Sequence, residues 1–130
     1  MWIRAALLIG FVYFLIGRGS TLPADQLGAW RAAAWVVSAA LYAAHICYEH
    51  FRLNHSLRAT ALHASIAVGF GALALAVAAN IHDLGSASGY RPRMLIALIA
   101  WPLLTAVPAF IVALAATAVL ARLPTKGLRE

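Results

Sequence analysis

The sequence has little charge, and this scarcity decides its class. Only 11% of its 130 residues are Asp, Glu, Lys or Arg, whereas 64% are hydrophobic. A soluble domain carries about a quarter charged residues, so this chain has too few to cover its own surface in water. A lipid bilayer accepts an apolar exterior, and the composition therefore predicts an integral membrane protein.

The sequence also lacks cysteine pairs and the common catalytic motifs. Cys47 is its single cysteine, which excludes an intramolecular disulfide and a zinc site built from CxxC pairs. An HExxH pattern is also absent from the sequence. We therefore predict no catalytic residues and favour a protein that is not an enzyme.

Negative charge is scarcer than positive charge. The formal net charge is +6 and the pI is about 10.5, which in a soluble protein would suggest nucleic-acid binding. Here the arginines stand at the ends of apolar runs. That pattern is typical of membrane topology and of contact with anionic headgroups, so we predict no nucleic-acid partner.

The apolar runs themselves are continuous rather than alternating, which favours helices over a barrel. The fold class predicted is all-α: a polytopic membrane protein with four transmembrane helices in an antiparallel bundle and a single domain over 1–130. The predicted helices cover about 2–17, 23–52, 57–82 and 94–121, and a basic tail follows at 122–130.

A tight connection joins the second and third segments. Leu53, Asn54, His55 and Ser56 leave room only for a turn, and either Asn54 or Ser56 is suited to cap the next helix. Six Lys and Arg residues fall on the side of the termini and of this turn, and four fall on the other side. Under the positive-inside rule we expect a bacterial inner-membrane protein with both termini in the cytoplasm.

The second segment carries a polar stripe. It consists of Arg31, Ser38, His45, Glu49 and Arg52, which fall within an arc of about 60° on a helix with 100° per residue. An ionisable group at the centre of a membrane helix costs about 2.5–3.5 kcal/mol on insertion scales. We expect the stripe to face other helices, a partner chain or water rather than lipid.

The third segment adds His63, which lies as far after the turn as His45 lies before it. The two imidazoles should share one depth, about 13 Å from the turn. Glu49 is one helical turn from His45 and can contact it. We predict a ligand-binding or proton-linked cluster of His45, Glu49 and His63, with Arg52 or Arg58 as the counter-charge.

Besides a membrane-embedded catalytic centre, three interpretations of this cluster stay open. The histidines can act as polar groups that hold helices together by hydrogen bonds. They can form a proton-linked or ligand-binding site, because histidine titrates near neutral pH. His45 and His63 can also hold the iron of a haem axially, or a metal ion with Glu49 as the third ligand.

A secondary candidate site lies at the far end of the third segment. Asn80, His82 and Asp83 come close together in sequence there. They could pair with Arg91 or Arg93 across the following loop, or simply form a solvated helix end.

Small residues on the third segment indicate close helix packing. Ser65 and Gly69 match the small-xxx-small pattern, which lets two helices approach. The match fits packing within one chain as well as a homo-oligomer.

Three functions agree with these patterns. The first is a small membrane subunit or assembly partner of a larger complex, which packs through the polar stripe. The second is a small oligomeric transporter, channel or ligand-binding protein with a proton-linked His/Glu site. The third is a haem- or metal-binding redox protein. The expected partners are the lipid bilayer and either further copies of the chain or other membrane subunits.

Overall fold

A computed structural model of the chain describes residues 2–18, 24–85 and 93–122, without the side chains of 24–27. In this part of the chain there are four α-helices and no strands, which confirms the all-α prediction. The helices are α1 (Trp2–Arg18), α2 (Ala24–Phe51), α3 (Leu57–Leu84) and α4 (Arg93–Leu120). Their ends differ from the predicted ones by at most two residues. The predicted tail beyond residue 122 and most of the predicted loop between α3 and α4 lie outside the described residues.

Two of the helices have the length and apolar composition needed to cross a membrane. They are α3 and α4, with 28 residues each and mean hydropathies of 2.0 and 2.4 in their most apolar windows. Such helices indicate membrane association, because about 20 apolar residues span the hydrocarbon core.

The centre of the bundle is α3, which packs against α1 on one side and α4 on the other. Glycines allow α1 to approach it closely. A Cβ added to Gly10 would lie 2.9 Å from the carbonyl oxygen of Ala67, and one added to Gly71 would lie 2.7 Å from the Cβ of Tyr13. Both glycines are therefore required by the distance between these two helix backbones.

The predicted small-xxx-small pair lies on the buried side of α3. A Cβ added to Gly69 would lie 3.2 Å from the Cβ of Ala106 on α4. Ser65 is buried as well, and its hydroxyl donates a hydrogen bond to the carbonyl of Leu62 at 2.9 Å. This pair thus serves packing within one chain.

The turn between α2 and α3 reverses the chain within a few residues. Asn54 has φ 49°, a left-handed conformation that Asn tolerates better than most residues. Ser56 then caps α3, and its Oγ accepts a hydrogen bond from the backbone N–H of Ala59 at 3.3 Å. The reversal keeps the end of α2 beside the start of α3.

The remaining helix, α2, packs closely against its neighbours only near its C-terminal end. His45, Ile46 and Glu49 are buried there, whereas most side chains from Gly28 to Ala44 are exposed or half-buried. The separation leaves a lateral groove of about 500 Å³ between α2 and the other three helices. Its walls come from all four helices, and they include Tyr13, Ile16, Trp30, Arg31, Ala34, Trp35, Ser38, Tyr42, Val68, Ala72, Leu75, Trp101 and Ala109.

Candidate metal centre

A fully buried carboxylate lies at the C-terminal end of α2. Glu49 has no exposed surface, and three histidines surround its two oxygens. Oε2 lies 2.9 Å from Nδ1 of His63 and is also hydrogen-bonded to Nδ1 of His55. Oε1 lies 3.6 Å from Nε2 of His45. Four polar side chains thus converge inside a largely apolar bundle.

Three separate elements place these groups. His45 precedes Glu49 by one turn of α2, so the two side chains share a helix face. His63 projects from the second turn of α3, on the other arm of the hairpin. His55 comes from the connecting turn, whose backbone folds back until the His55 N–H donates to the Glu49 carbonyl at 3.4 Å. The left-handed Asn54 immediately before it allows this return.

Aromatic contacts hold the imidazole of His63 in place. The indole of Trp2 on α1 stacks on it, with ring centroids 4.2 Å apart and planes 5° from parallel. The His55 ring meets its edge at 5.0 Å and 80°. The ring of His63 is therefore fixed in orientation, with Nδ1 directed at Glu49.

The cluster is incompletely hydrogen-bonded. Both ring nitrogens of His45 and Oε1 of Glu49 are buried without a hydrogen-bond partner. Leaving a buried polar group unsatisfied costs about 1–3 kcal/mol, and more for a charged one. Unpaired buried groups in native proteins often mark a bound water, an ion or a functional site.

Three of the four side chains are placed to hold a metal ion. The ligand atoms of Glu49, His55 and His63 lie within 4.8 Å of one another. Tetrahedral zinc with bonds of about 2.0–2.2 Å to nitrogen and oxygen places its ligands roughly 3.4 Å apart. Oε2 of Glu49 and Nδ1 of His63 are 2.9 Å apart, so these two atoms would separate slightly around an ion. His45 lies beside the three, with its Nε2 3.6 Å from Oε1 of Glu49.

The structure brings three of the predicted site residues together, namely His45, Glu49 and His63. The two predicted counter-charges, Arg52 and Arg58, are exposed, and the described groups that contact the Glu49 carboxylate are the three imidazoles. Sequence reasoning assigned His55 to the turn alone and so missed its contact with Glu49. The sequence signal that could have revealed it is a histidine directly after a turn-forming asparagine.

Asn80, from the secondary candidate site, is buried and links two helices. Its amide nitrogen donates hydrogen bonds to the carbonyls of Ala76 at 2.9 Å and of Met94 on α4 at 2.8 Å. Asn80 thereby joins the end of α3 to the start of α4.

The other described members of the secondary candidate site differ from one another in exposure. Asp83 is buried, and His82 is exposed. Of the two predicted arginine partners, Arg93 is exposed at the first position of α4, and Arg91 lies outside the described residues.

Comparison with known proteins adds no assignment. No protein-family model matches the chain, and no curated protein or solved structure resembles it closely enough to count as a match.

Proposed function

We propose that the chain is a small integral membrane protein that binds a divalent transition-metal ion through Glu49, His55 and His63, with His45 as a fourth ligand. The observation that carries this proposal is the convergence of three imidazoles on one fully buried carboxylate. If the four side chains only formed hydrogen bonds with one another, both ring nitrogens of His45 would have no partner.

The proposed membrane placement has all four helices crossing the bilayer. The length and composition of α3 and α4 support it, and α1 packs along α3. The outer surfaces of α1 and α4 are also apolar, with exposed Leu8, Phe11, Ile99 and Leu104. The positive-inside rule then places both termini and the cluster at the cytoplasmic side of a bacterial inner membrane.

The ligand set points to a borderline metal rather than to a hard cation. Imidazole suits zinc, iron, nickel and copper, whereas calcium and magnesium prefer oxygen ligands. The side chain of His55 is 31% exposed, while that of Glu49 is fully buried. Metal exchange with the aqueous phase would therefore pass by His55 in the turn.

The same geometry favours a bare ion over haem. His45 and His63 both approach the carboxylate of Glu49, so a porphyrin between them would have to displace that carboxylate. A single ion would replace the hydrogen bonds between Glu49 and the imidazoles, and it requires only that these atoms move to about 3.4 Å from one another.

The test is metal binding to the full-length protein, purified in detergent with an affinity tag that contains no histidine. After chelator treatment, zinc titration should give one ion per chain, and cobalt should give visible absorption typical of low coordination number. A wild-type chain that binds neither ion stoichiometrically would overturn the proposal.

Matched variants locate the ion. Glu49→Gln and His63→Gln keep the side-chain size or polarity but remove a ligand, so each should weaken zinc binding by about a hundredfold or more. His50→Gln changes the neighbouring histidine, which lies outside the cluster, and should retain wild-type affinity. Helical circular dichroism shows whether each variant folds. Wild-type affinity in folded Glu49→Gln would rule out this ligand set.

A role as a subunit of a larger membrane complex is our second proposal. Arg31 and Arg52, at the two ends of the polar stripe, favour this role. Both side chains are exposed on the surface of the bundle, where another subunit can contact them. Native mass measured in detergent separates a lone chain from a homo-oligomer or a complex with other proteins. A small oligomeric transporter or channel would use the same His/Glu cluster.

A further inference from the structure

We propose that the lateral groove holds one acyl chain of an anionic phospholipid whose phosphate binds Arg31. This inference rests on the proposed membrane placement but not on metal binding. The groove lies toward the opposite end of the bundle from the metal cluster, since Arg31 is near the start of α2 and Glu49 is near its end.

The length of the groove is close to the hydrocarbon thickness of one leaflet. Its wall on α2 runs from Trp30 to Tyr42, and twelve residues at 1.5 Å each cover about 18 Å. One leaflet occupies about half of the roughly 30 Å hydrocarbon core. The volume of about 500 Å³ is also in the usual range of about 300–1,000 Å³ for a ligand pocket.

The walls of the groove suit a hydrocarbon chain. Ile16, Val68, Ala72 and Leu75 supply aliphatic surface from α1 and α3. The Tyr42 hydroxyl at its inner end is already used, because it donates a hydrogen bond to the carbonyl of Ala109. Water molecules inside the groove would find few hydrogen-bond partners. An acyl chain therefore fills the groove at a lower free-energy cost than water does.

The outer end of the groove presents a cation. Arg31 lines it, is exposed, and makes no ion pair with the described acidic side chains. It lies seven residues after the first residue of α2, about 10 Å along the helix axis. A phosphate offers the planar, bidentate partner that arginine prefers. Trp30 and Trp35 flank Arg31, as aromatic residues do at headgroup depth.

Charge favours a lipid over a second copy of the chain as the occupant. The sequence has only four acidic residues, and two of these, Glu49 and Asp83, are buried. A second copy could bring an apolar helix face to the groove but few anions to Arg31. An anionic phospholipid brings both the apolar chain and the charge.

Tryptophan fluorescence can test this proposal in bilayer discs. Trp30, Trp35 and Trp101 line the groove, and Trp2 lies beside the metal cluster. The discs contain phosphatidylcholine with either brominated phosphatidylglycerol or brominated phosphatidylcholine as the quencher. We expect phosphatidylglycerol to quench at roughly tenfold lower mole fraction, as expected for a charge-assisted contact.

Two pairs of variants separate the phosphate contact from the chain contact. Arg31→Gln should abolish the preference for phosphatidylglycerol, whereas Arg52→Gln, an exposed arginine at the other end of α2, should retain it. Ala34→Phe fills the groove and should reduce quenching. Ala33→Phe places the same ring on the exposed neighbour, outside the groove, and should not.

Each alternative outcome contradicts the proposal. Equal quenching by both lipids in the wild type, loss of preference in Arg52→Gln, or a native mass of two chains without lipid would each overturn it alone. A chain that fails to enter the discs would overturn the membrane placement as well. Glu49→Gln should keep the preference for phosphatidylglycerol although it loses zinc affinity. The metal proposal can therefore fail without any change in the lipid result.

Discussion

At the scale of single residues, Glu49 organises the candidate metal centre. A carboxylate with no exposed surface is expensive in an apolar bundle unless charged or hydrogen-bonded partners surround it. Here its partners are His45, His55 and His63. A divalent cation bound between them would balance the charge of the Glu49 carboxylate, which would then serve as a metal ligand.

Part of this cluster follows from the sequence by helical geometry. The spacing of His45 and Glu49 puts both side chains on one face of α2, and counting from the turn puts His63 at the same depth. The position of His55 depends on the left-handed φ of Asn54. Helical periodicity carries no information about that angle, so periodicity alone could not place the third imidazole.

Trp2 should report metal binding through its fluorescence. Its indole stacks on His63, so a paramagnetic ion such as Ni²⁺ or Cu²⁺ in the cluster would lie within a few ångströms and quench it. We expect Trp2→Phe to lose the metal-dependent quenching while it keeps metal affinity within a few fold. Trp101→Phe removes a distant indole of the groove and should leave the quenching intact. Metal-dependent quenching that survives in Trp2→Phe would place the ion elsewhere.

At the scale of helices, the ends of the elements could be predicted much better than their contacts. Apolar runs, turn residues and the Ser56 cap define where each helix begins and ends. The helix faces that contact one another could not be predicted in the same way, because α3 carries small residues on several sides. Gly69 was recognised as a packing position, whereas the closer approach at Gly10 and Gly71 was not.

The α1–α3 contact should be sensitive to one methyl group. A Cβ on Gly71 would lie 2.7 Å from the Cβ of Tyr13 and 2.9 Å from the carbonyl oxygen of Gly10. We expect Gly71→Ala to lower the free energy of unfolding by about 1–3 kcal/mol, the usual cost of overpacking. Thermal unfolding followed by circular dichroism in detergent measures the change.

The control for this substitution is Gly28→Ala on α2. A Cβ at Gly28 would have nothing within 4 Å, and alanine is the better helix former by about 1 kcal/mol. This variant should therefore be as stable as the wild type or more stable. Equal stability of Gly71→Ala and Gly28→Ala would contradict the close packing of α1 on α3.

At the scale of the whole molecule, the two ends of the bundle differ in character. One end carries buried imidazoles around a carboxylate, and the other opens into an apolar groove lined by tryptophans. Composition predicts a membrane protein, and the length and hydropathy of α3 and α4 agree with it. The groove could not be predicted, because it arises from the angle at which α2 leaves its neighbours.

Topology reporters can test whether all four helices cross the membrane. Fusions of a reporter that is active only in the cytoplasm should be active at both termini and in the turn at 53–55, and inactive between α3 and α4. A second reporter, active only outside the cytoplasm, should give the reverse pattern. Identical results at the 53–55 turn and between α3 and α4 would show that α3 does not cross, and opposite results at the two termini would show an odd number of crossings.

The four residues that would hold the ion all lie on one hairpin of consecutive sequence, from His45 on α2 to His63 on α3. None of these ligands lies on α4, which the ribosome makes after the hairpin. The centre can therefore assemble while the rest of the polypeptide is still being synthesised. Metal present during translation would then load nascent chains as well as finished ones.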